Sequence, residues 1–173
     1  MTLAVKSLLI VAALALAACN NPDRYGAGGA GGAGGPGSGI DTTGLGDPNN
    51  PTSIAYFNQR VGDRVLFAVD QSTLSPEART ILTAQAQWLM QNTGYAAIIE
   101  GHADEQGTRE YNLALGARRA AAVQNFLISQ GVAANRLRTI SYGKERPLEV
   151  CSDESCYAKN RRAVTVLSAG AGV

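Results

Sequence analysis

The sequence lacks a surplus of charge of either sign. Its 173 residues include 15 Lys and Arg against 14 Asp and Glu, which leaves a formal net charge of +1. Lys6 is the only charged residue before Cys19, so a chain that begins at Cys19 carries no net charge. Nucleic acid is collected by a clustered basic face. We therefore predict that nucleic acid is not a partner and that binding depends on specific contacts.

Motifs of catalysis and metal binding are also missing. The single histidine, His102, has Asp104 and Glu105 nearby, but a stable metal site needs three or four converging ligands. No further His, Cys or acid stands at ligand spacing, and the sequence contains no nucleophile elbow, phosphate loop or Cys-x-x-Cys pair. We expect no catalytic residue, no metal and no cofactor.

No apolar run in the sequence is long enough to span a membrane. The run from Leu8 to Ala18 is too short to cross about 30 Å of hydrocarbon. It follows the positive charge of Lys6 and ends in small residues, which is the layout of a secretory signal. We predict a signal peptide over residues 1–18.

The end of this segment, from Leu16 to Cys19, resembles the lipobox of bacterial lipoproteins. The resemblance implies cleavage before Cys19 and acylation of both its thiol and its new amine. Several acyl chains anchor a protein to a membrane far better than one. Asn20 stands where an Asp would signal retention in the inner membrane, which favours the outer membrane. An ordinary signal peptide followed by a chance cysteine is the alternative.

Residues 19–52 are predicted to be a lipidated N-terminus and a flexible Gly-rich linker. Only Gly and Ala occur from Gly26 to Gly35, and the stretch ends in a segment rich in Pro and Asn. Such a composition cannot bury enough apolar surface to offset chain entropy, so we expect disorder. A Gly-rich coil of roughly 30 residues spans about 30 Å, which suits a leash between membrane and target. A passive spacer is the alternative.

The remaining residues, 53–173, carry the patterns of one folded domain. β-prone runs predict strands at 64–69, 96–99, 137–141 and 163–167, the second of them buried on both faces. Helical spacing predicts one helix after Ser75, with Pro76 at its first position, and another over residues 109–129. The order βαβα-ββ predicts an α+β fold with helices packed on one face of a small mixed sheet.

The segment between the second strand and the second helix is the candidate binding site. Residues 101–109 leave a strand end and enter a helix N-terminus, where free backbone N–H groups and the helix dipole attract anions. Arg119 lies on or beside the apolar stripe of that helix, where a guanidinium needs a partner or a ligand. Two alternatives stay open: an internal ion pair with Asp104 or another acid, and a ligand contact.

Several segments of the domain resemble the OmpA-like domain family and, within it, the peptidoglycan-associated lipoproteins. The resemblance covers about Arg64 to Leu167 with order and spacing kept. It is carried by residues 100–108, 141–145 and 158–164 and by a helix pattern of Asn112, Leu115, Gly116, Arg119, Ala120, Val123 and Leu127. It implies an OmpA-like, peptidoglycan-binding domain that is not an enzyme.

The resemblance also implies ligand contacts. In the family, the acid after the second strand and the arginine of the second helix hold the diaminopimelate of the peptidoglycan stem peptide. By position these residues are Asp104 and Arg119, and the same comparison adds Phe67, Gly107, Thr108, Asn112 and Leu115. The stretch from Phe67 to Asp70 departs from the Phe-Asp of the family, which leaves the contribution of that loop open.

The partners implied by the resemblance are TolB and the other components of the Tol–Pal system. A lipoprotein of this kind would link the outer membrane to peptidoglycan, with its domain in the periplasm. Its role would be in envelope integrity and in constriction of the outer membrane during cell division.

Two cysteines remain in the domain, Cys151 and Cys156, separated by four residues. Export to an oxidising compartment predicts a disulfide between them, which would stabilise the domain by roughly 2 kcal/mol. A metal-binding or redox pair is the alternative, although the spacing differs from that of a Cys-x-x-Cys motif.

Overall fold

The computed structural model describes residues 45–169. The predicted signal peptide, Cys19 and the predicted linker up to residue 44 lie outside these residues. Within residues 45–169, the structure contains no helix with the length and apolar character needed to cross a membrane.

The described residues form four strands and four α-helices in an α+β arrangement, as predicted. The helices are α1 (Ile54–Tyr56), α2 (Pro76–Gln91), α3 (Arg109–Ser129) and α4 (Glu154–Asn160). The strands are β1 (Arg64–Leu66), β2 (Tyr95–His102), β3 (Leu137–Gly143) and β4 (Arg162–Ala169). A π-helical turn (Phe57–Gly62) follows α1, and a 3-10 turn (Ala134–Arg136) precedes β3.

The four strands form one mixed sheet in the order β1-β4-β2-β3. β2 and β3 run parallel, with Ala97 opposite Leu137, because α3 carries the chain back to the starting edge between them. β4 inserts antiparallel between β1 and β2, with Val164 opposite both Arg64 and Glu100. This topology brings the C-terminal end of β2 and the N-terminus of α3 to the same edge of the sheet.

The helix boundaries follow the local signals in the sequence. Ser75 caps α2 by accepting a hydrogen bond from the backbone N–H of Ala78 at 3.1 Å, with Pro76 at the first helical position. Thr108 caps α3 in the same way, accepting from the N–H of Tyr111 at 3.2 Å. The predictions of both helices are confirmed.

The core lies between the sheet and the helices α2 and α3. Its fully buried members include Phe57, Leu82, Leu89, Ile99 and Leu127. The buried side chain of Gln85 has hydrogen-bond partners for both its amide nitrogen and its amide oxygen. The side chain of Gln85 donates to the carbonyl of Gly62 at 2.6 Å and accepts from the hydroxyl of Thr165 at 2.8 Å, so its burial leaves no unpaired atom.

Helix α3 contacts strand β2 backbone to backbone at two glycines. A Cβ on Gly101 would lie 1.9 Å from the carbonyl oxygen of Gly116, and one on Gly116 would lie 2.8 Å from the carbonyl oxygen of Gly101. Only glycine permits so close an approach. The contact sets the distance between the end of β2 and the first turns of α3, which is where the candidate site lies.

Two strand predictions need correction. β1 ends at Leu66 rather than at residue 69, and beyond it the carbonyls of Ala68 and Gln71 accept hydrogen bonds from Arg119 instead of from a neighbouring strand. β2 is not buried on both faces: Ile98 is 39% exposed. The helices cover a single face of the sheet, so alternate residues of β2 face outwards.

Residues 45–52, predicted as linker, pack against the domain instead. Leu45 lies against the core, and the carbonyls of Pro51 and Thr52 accept hydrogen bonds from Trp88 and Tyr95, each at 2.7 Å. The Pro- and Asn-rich composition predicts a flexible linker and carries no signal of these long-range contacts. The folded part therefore begins no later than residue 45.

Candidate functional site

A pocket of about 230 Å³ opens where the β1–α2 loop, the β2–α3 loop and the first turns of α3 meet. We call it the β2–α3 pocket, and it is lined by Val69, Asp70, Asp104, Gln106, Gly107, Tyr111, Asn112 and Leu115. Four of the predicted site residues are among them: Asp104, Gly107, Asn112 and Leu115. Thr108, Phe67 and Arg119 are near the pocket without lining it.

The β2–α3 loop holds the Asp104 carboxylate at the pocket through local hydrogen bonds. One carboxylate oxygen accepts from the backbone N–H of Gln106 at 3.2 Å, and the buried Asn112 side chain donates to the carbonyl of Gln106 at 2.8 Å. Gly107 turns the chain with a φ of +90°, a conformation that favours glycine. The side chain of Asp104 is 10% exposed, and Asp104 is one of the residues that line the pocket.

The pocket also lies at the N-terminus of α3. The Thr108 hydroxyl accepts a hydrogen bond from the N–H of Tyr111. The first turn of any helix leaves further N–H groups without helical partners. The dipole of this 21-residue helix adds a partial positive charge at this end. The pocket therefore combines acidic side chains with an anion-attracting backbone.

Asp70 and Tyr111 belong to the pocket but were not predicted from the sequence. The hydroxyl of Tyr111 donates a short hydrogen bond to the Asp70 carboxylate, and Asp70 adopts a left-handed φ of 55°, which is uncommon for a residue other than glycine. The sequence signal for this loop is the stretch from Phe67 to Asp70, which departs from the Phe-Asp of the family. That departure leaves the contribution of the loop to ligand binding open. In the structure the loop adds a second carboxylate, Asp70, to the pocket lining.

Arg119 lies beneath the pocket and is fully buried. Its guanidinium donates to three backbone carbonyls, those of Gln71 at 2.8 Å, His102 at 2.7 Å and Ala68 at 3.2 Å. These bonds tie the β1–α2 loop to the end of β2. Burial lowers the pKa of Arg119 to about 10, against the attraction of Asp104, so the side chain is charged at neutral pH.

Phe67 supports Arg119 rather than lining the pocket. The guanidinium carbon lies 5.2 Å from the centre of the Phe67 ring, a cation–π distance, and Phe67 is only 5% exposed. The Phe67 side chain is therefore placed to act on the site through the Arg119 guanidinium, which its ring contacts.

The ion-pair partner of Asp104 is Arg161, whereas Arg119 donates to backbone carbonyls, so the alternative of an internal pair between Asp104 and Arg119 is not realised. A terminal nitrogen of Arg161 lies 3.1 Å from an Asp104 oxygen, and both side chains are almost buried. The same guanidinium binds Glu154 through both terminal nitrogens. The hydrogen bond to Glu154 and the bond to Asp104 raise the pKa of Arg161.

His102 is buried at the end of β2 and belongs to no group of potential metal ligands in residues 45–169. Neither ring nitrogen has a hydrogen-bond partner among these residues. Burial, with the nearby positive charges of Arg162 and Arg146, lowers its pKa to about 4. His102 is therefore neutral at pH 7, and its carbonyl serves the site by accepting from Arg119.

The predicted disulfide between Cys151 and Cys156 is confirmed, with the two Cα atoms 5.9 Å apart. Together with Asp153, these sulfurs form the one cluster of potential metal ligands in the described part of the chain. The disulfide leaves neither sulfur as a thiolate ligand. Asp153 instead caps α4, accepting from the N–H of Ser155 at 2.9 Å.

Known proteins resemble the chain over most of its length. The model of the OmpA family matches residues 66–161. A peptidoglycan-associated lipoprotein of Mesorhizobium japonicum is 53% identical over 165 residues, which cover 95% of this chain and 92% of the relative. Another, from Rhizobium meliloti, is 56% identical over 135 residues, 76% of each chain.

Solved structures show the same fold. The crystal structure of the peptidoglycan-associated lipoprotein from Burkholderia pseudomallei superposes with a TM-score of 0.63 at 36% identity, covering 70% of this chain and 100% of the other. The C-terminal domain of Helicobacter pylori MotB has a TM-score of 0.59 at 22% identity, over 63% of this chain and 86% of that one. The second comparison concerns the fold alone.

Proposed function

Because the chain belongs to the OmpA family and, within it, to the peptidoglycan-associated lipoproteins, we propose that it binds peptidoglycan non-covalently in the β2–α3 pocket. The bound group is the free end of diaminopimelate in the stem peptide. The observation that carries the proposal is the position of the Asp104 carboxylate, which lines the pocket beside the N-terminus of α3.

The free end of diaminopimelate is an amino-acid zwitterion, and the pocket offers a complement to each charge. Its ammonium donates to Asp104, with Asp70 as a second carboxylate in the same lining. Its carboxylate faces the first turn of α3, where the dipole and the free N–H groups favour an anion. Gly107, Asn112 and Leu115 shape the wall between the two ends.

Arg119 contributes to carboxylate binding after a local movement. Among the described residues three of its five N–H groups are used, which leaves one N–H on each terminal nitrogen. The carbonyls of Ala68 and Gln71 accept hydrogen bonds from the Arg119 guanidinium. The β1–α2 loop, which carries these carbonyls, therefore shifts when the ligand carboxylate approaches the guanidinium. The forked geometry of arginine then suits the two carboxylate oxygens.

The cellular role follows from the anchor and from the family. An acylated Cys19 holds the chain in the outer membrane, and the Gly-rich residues that follow allow the domain to reach the cell wall across the periplasm. Binding without catalysis links the two layers. TolB and the other Tol–Pal components are the protein partners, and the link serves envelope integrity and constriction during division.

The proposal is tested by co-sedimentation of the full chain in detergent with purified sacculi. Sacculi that contain diaminopimelate should retain the wild type, and sacculi that contain lysine at that position should not. Asp104→Asn should lose retention, whereas Asp63→Asn is the matched control. It removes one carboxylate charge from a pair with Arg64 at 2.7 Å, away from the pocket. Equal retention by both kinds of sacculi would refute the proposal.

A further inference from the structure

Asp104 shares one arginine with a second carboxylate. One terminal nitrogen of Arg161 lies 3.1 Å from an Asp104 oxygen and 3.3 Å from a Glu154 oxygen, and the other terminal nitrogen donates to the second Glu154 oxygen. The third nitrogen of Arg161 donates to the carbonyl of Phe67 at 3.3 Å. Arg161 is thus held through all three guanidinium nitrogens, and its own side chain is 5% exposed.

The position of Arg161 poses a problem for cation binding at Asp104. A carboxylate paired with a nearly buried guanidinium is largely neutralised, because the interaction is weakly screened by water there. An ammonium that approaches such a pair meets little net attraction. Two carboxylates around one guanidinium, in contrast, carry one net negative charge, and that charge is available to a ligand.

We propose that Glu154 is a positioning residue for the ligand ammonium: it shares the Arg161 guanidinium with Asp104 and so keeps Asp104 available as an acceptor. The inference rests on the proposed function and deepens it. Three residues, Asp104, Arg161 and Glu154, then make the pocket prefer a stem peptide that has a free ammonium. Glu154 itself does not line the pocket.

The local fold holds Glu154 in place for this role. It occupies the first turn of α4, directly after the cap residue Asp153, and the disulfide between Cys151 and Cys156 spans this turn. The hydrogen bond from Arg161 lowers the pKa of Glu154, so the carboxylate is ionised at neutral pH. Arg161 follows the C-terminal end of the same short helix, so α4 carries both partners.

The test compares Glu154→Gln with Glu149→Gln in the full chain. Glu149 is the matched control, since it is a glutamate of the same region paired with a cation, Lys159, at 3.2 Å. The probes are a stem tripeptide that ends in diaminopimelate and the same tripeptide with the side-chain amine acetylated. Affinities are measured by calorimetry, and melting temperatures report on folding.

Glu154→Gln should weaken binding of the free-amine peptide roughly two- to five-fold, a modest effect because Glu154 is 65% exposed. The effect should vanish with the acetylated peptide and shrink at high salt, and Glu154→Asp should restore part of the affinity. Glu149→Gln should match the wild type.

Two outcomes contradict the inference in different ways. If Glu154→Gln weakens both peptides equally, Glu154 stabilises the structure without tuning the charge at Asp104, and the inference is wrong. If it binds the free-amine peptide as tightly as the wild type, the inference is wrong and the proposed function stands. Failure of the wild type to bind the free-amine peptide at all would overturn the proposed function together with the inference.

Discussion

Replacing Arg119 by lysine should destabilise the domain even without a ligand. Three nitrogens of the guanidinium each reach a different carbonyl, on Gln71, His102 and Ala68. The single ammonium of a lysine cannot span all three, so about two charge-assisted bonds are lost at roughly 1.5–3 kcal/mol each. Allowing for relaxation of the exposed β1–α2 loop, we expect the free energy of unfolding to fall by about 3 kcal/mol.

Urea unfolding of the full chain, followed by the fluorescence of Trp88, measures this loss. Arg118→Lys is the matched control, because Arg118 is the preceding residue of α3 and its side chain is exposed. The control should unfold within about 0.5 kcal/mol of the wild type. If Arg119→Lys were as stable as the control, the three hydrogen bonds from Arg119 to backbone carbonyls would not hold the β1–α2 loop.

Three further predictions concern other parts of the chain. Cys19→Ala should abolish acylation and release the protein from the outer-membrane fraction; retention there, with no acyl mass on the wild type, would contradict the anchor. Changing both Cys151 and Cys156 to Ser should lower the free energy of unfolding by about 2 kcal/mol while wall binding persists; an unchanged urea midpoint would contradict this. The folded pKa of His102, about 4, lies below its usual value, so the unfolded chain binds the proton more tightly. Stability should therefore fall by about 3 kcal/mol from pH 6.5 to pH 4, and a His102→Gln variant with the same pH profile would refute that cause.

The sequence contained enough local information to predict the two long helices, α2 and α3, and the fold class. The cap at Ser75, Pro76 at the first position and the helical spacing over residues 109–129 are short-range signals, and the structure follows them. The order of the strands had no such signal, because β4 reaches its place between β1 and β2 only through long-range pairing. Helix α4 was missed, although Asp153 caps it as its residue type would favour.

Part of the candidate site was predicted from the resemblance to the family rather than from local signals. Asp104, Gly107, Asn112 and Leu115 belong to one continuous segment, and all four line the pocket. The pairing of Asp104 with Arg161 joins residues 57 positions apart, which periodicity cannot detect. Arg119 was correctly expected to need a partner beside its apolar face, and backbone carbonyls of the β1–α2 loop and of the end of β2 supply it.

Recognition of diaminopimelate by the β2–α3 pocket is tested by titrating the full chain with two stem peptides, one with diaminopimelate and one with lysine, which has the amine without the carboxylate. The wild type should bind the diaminopimelate peptide clearly more tightly. Asp104→Asn and Arg119→Lys, each measured under conditions where the variant is folded, should weaken that binding roughly thirty-fold or more, since losing one partner of a desolvated charged contact costs about 2–5 kcal/mol. Equal affinities for both peptides and for all three proteins would contradict the claim that the β2–α3 pocket recognises the free end of diaminopimelate.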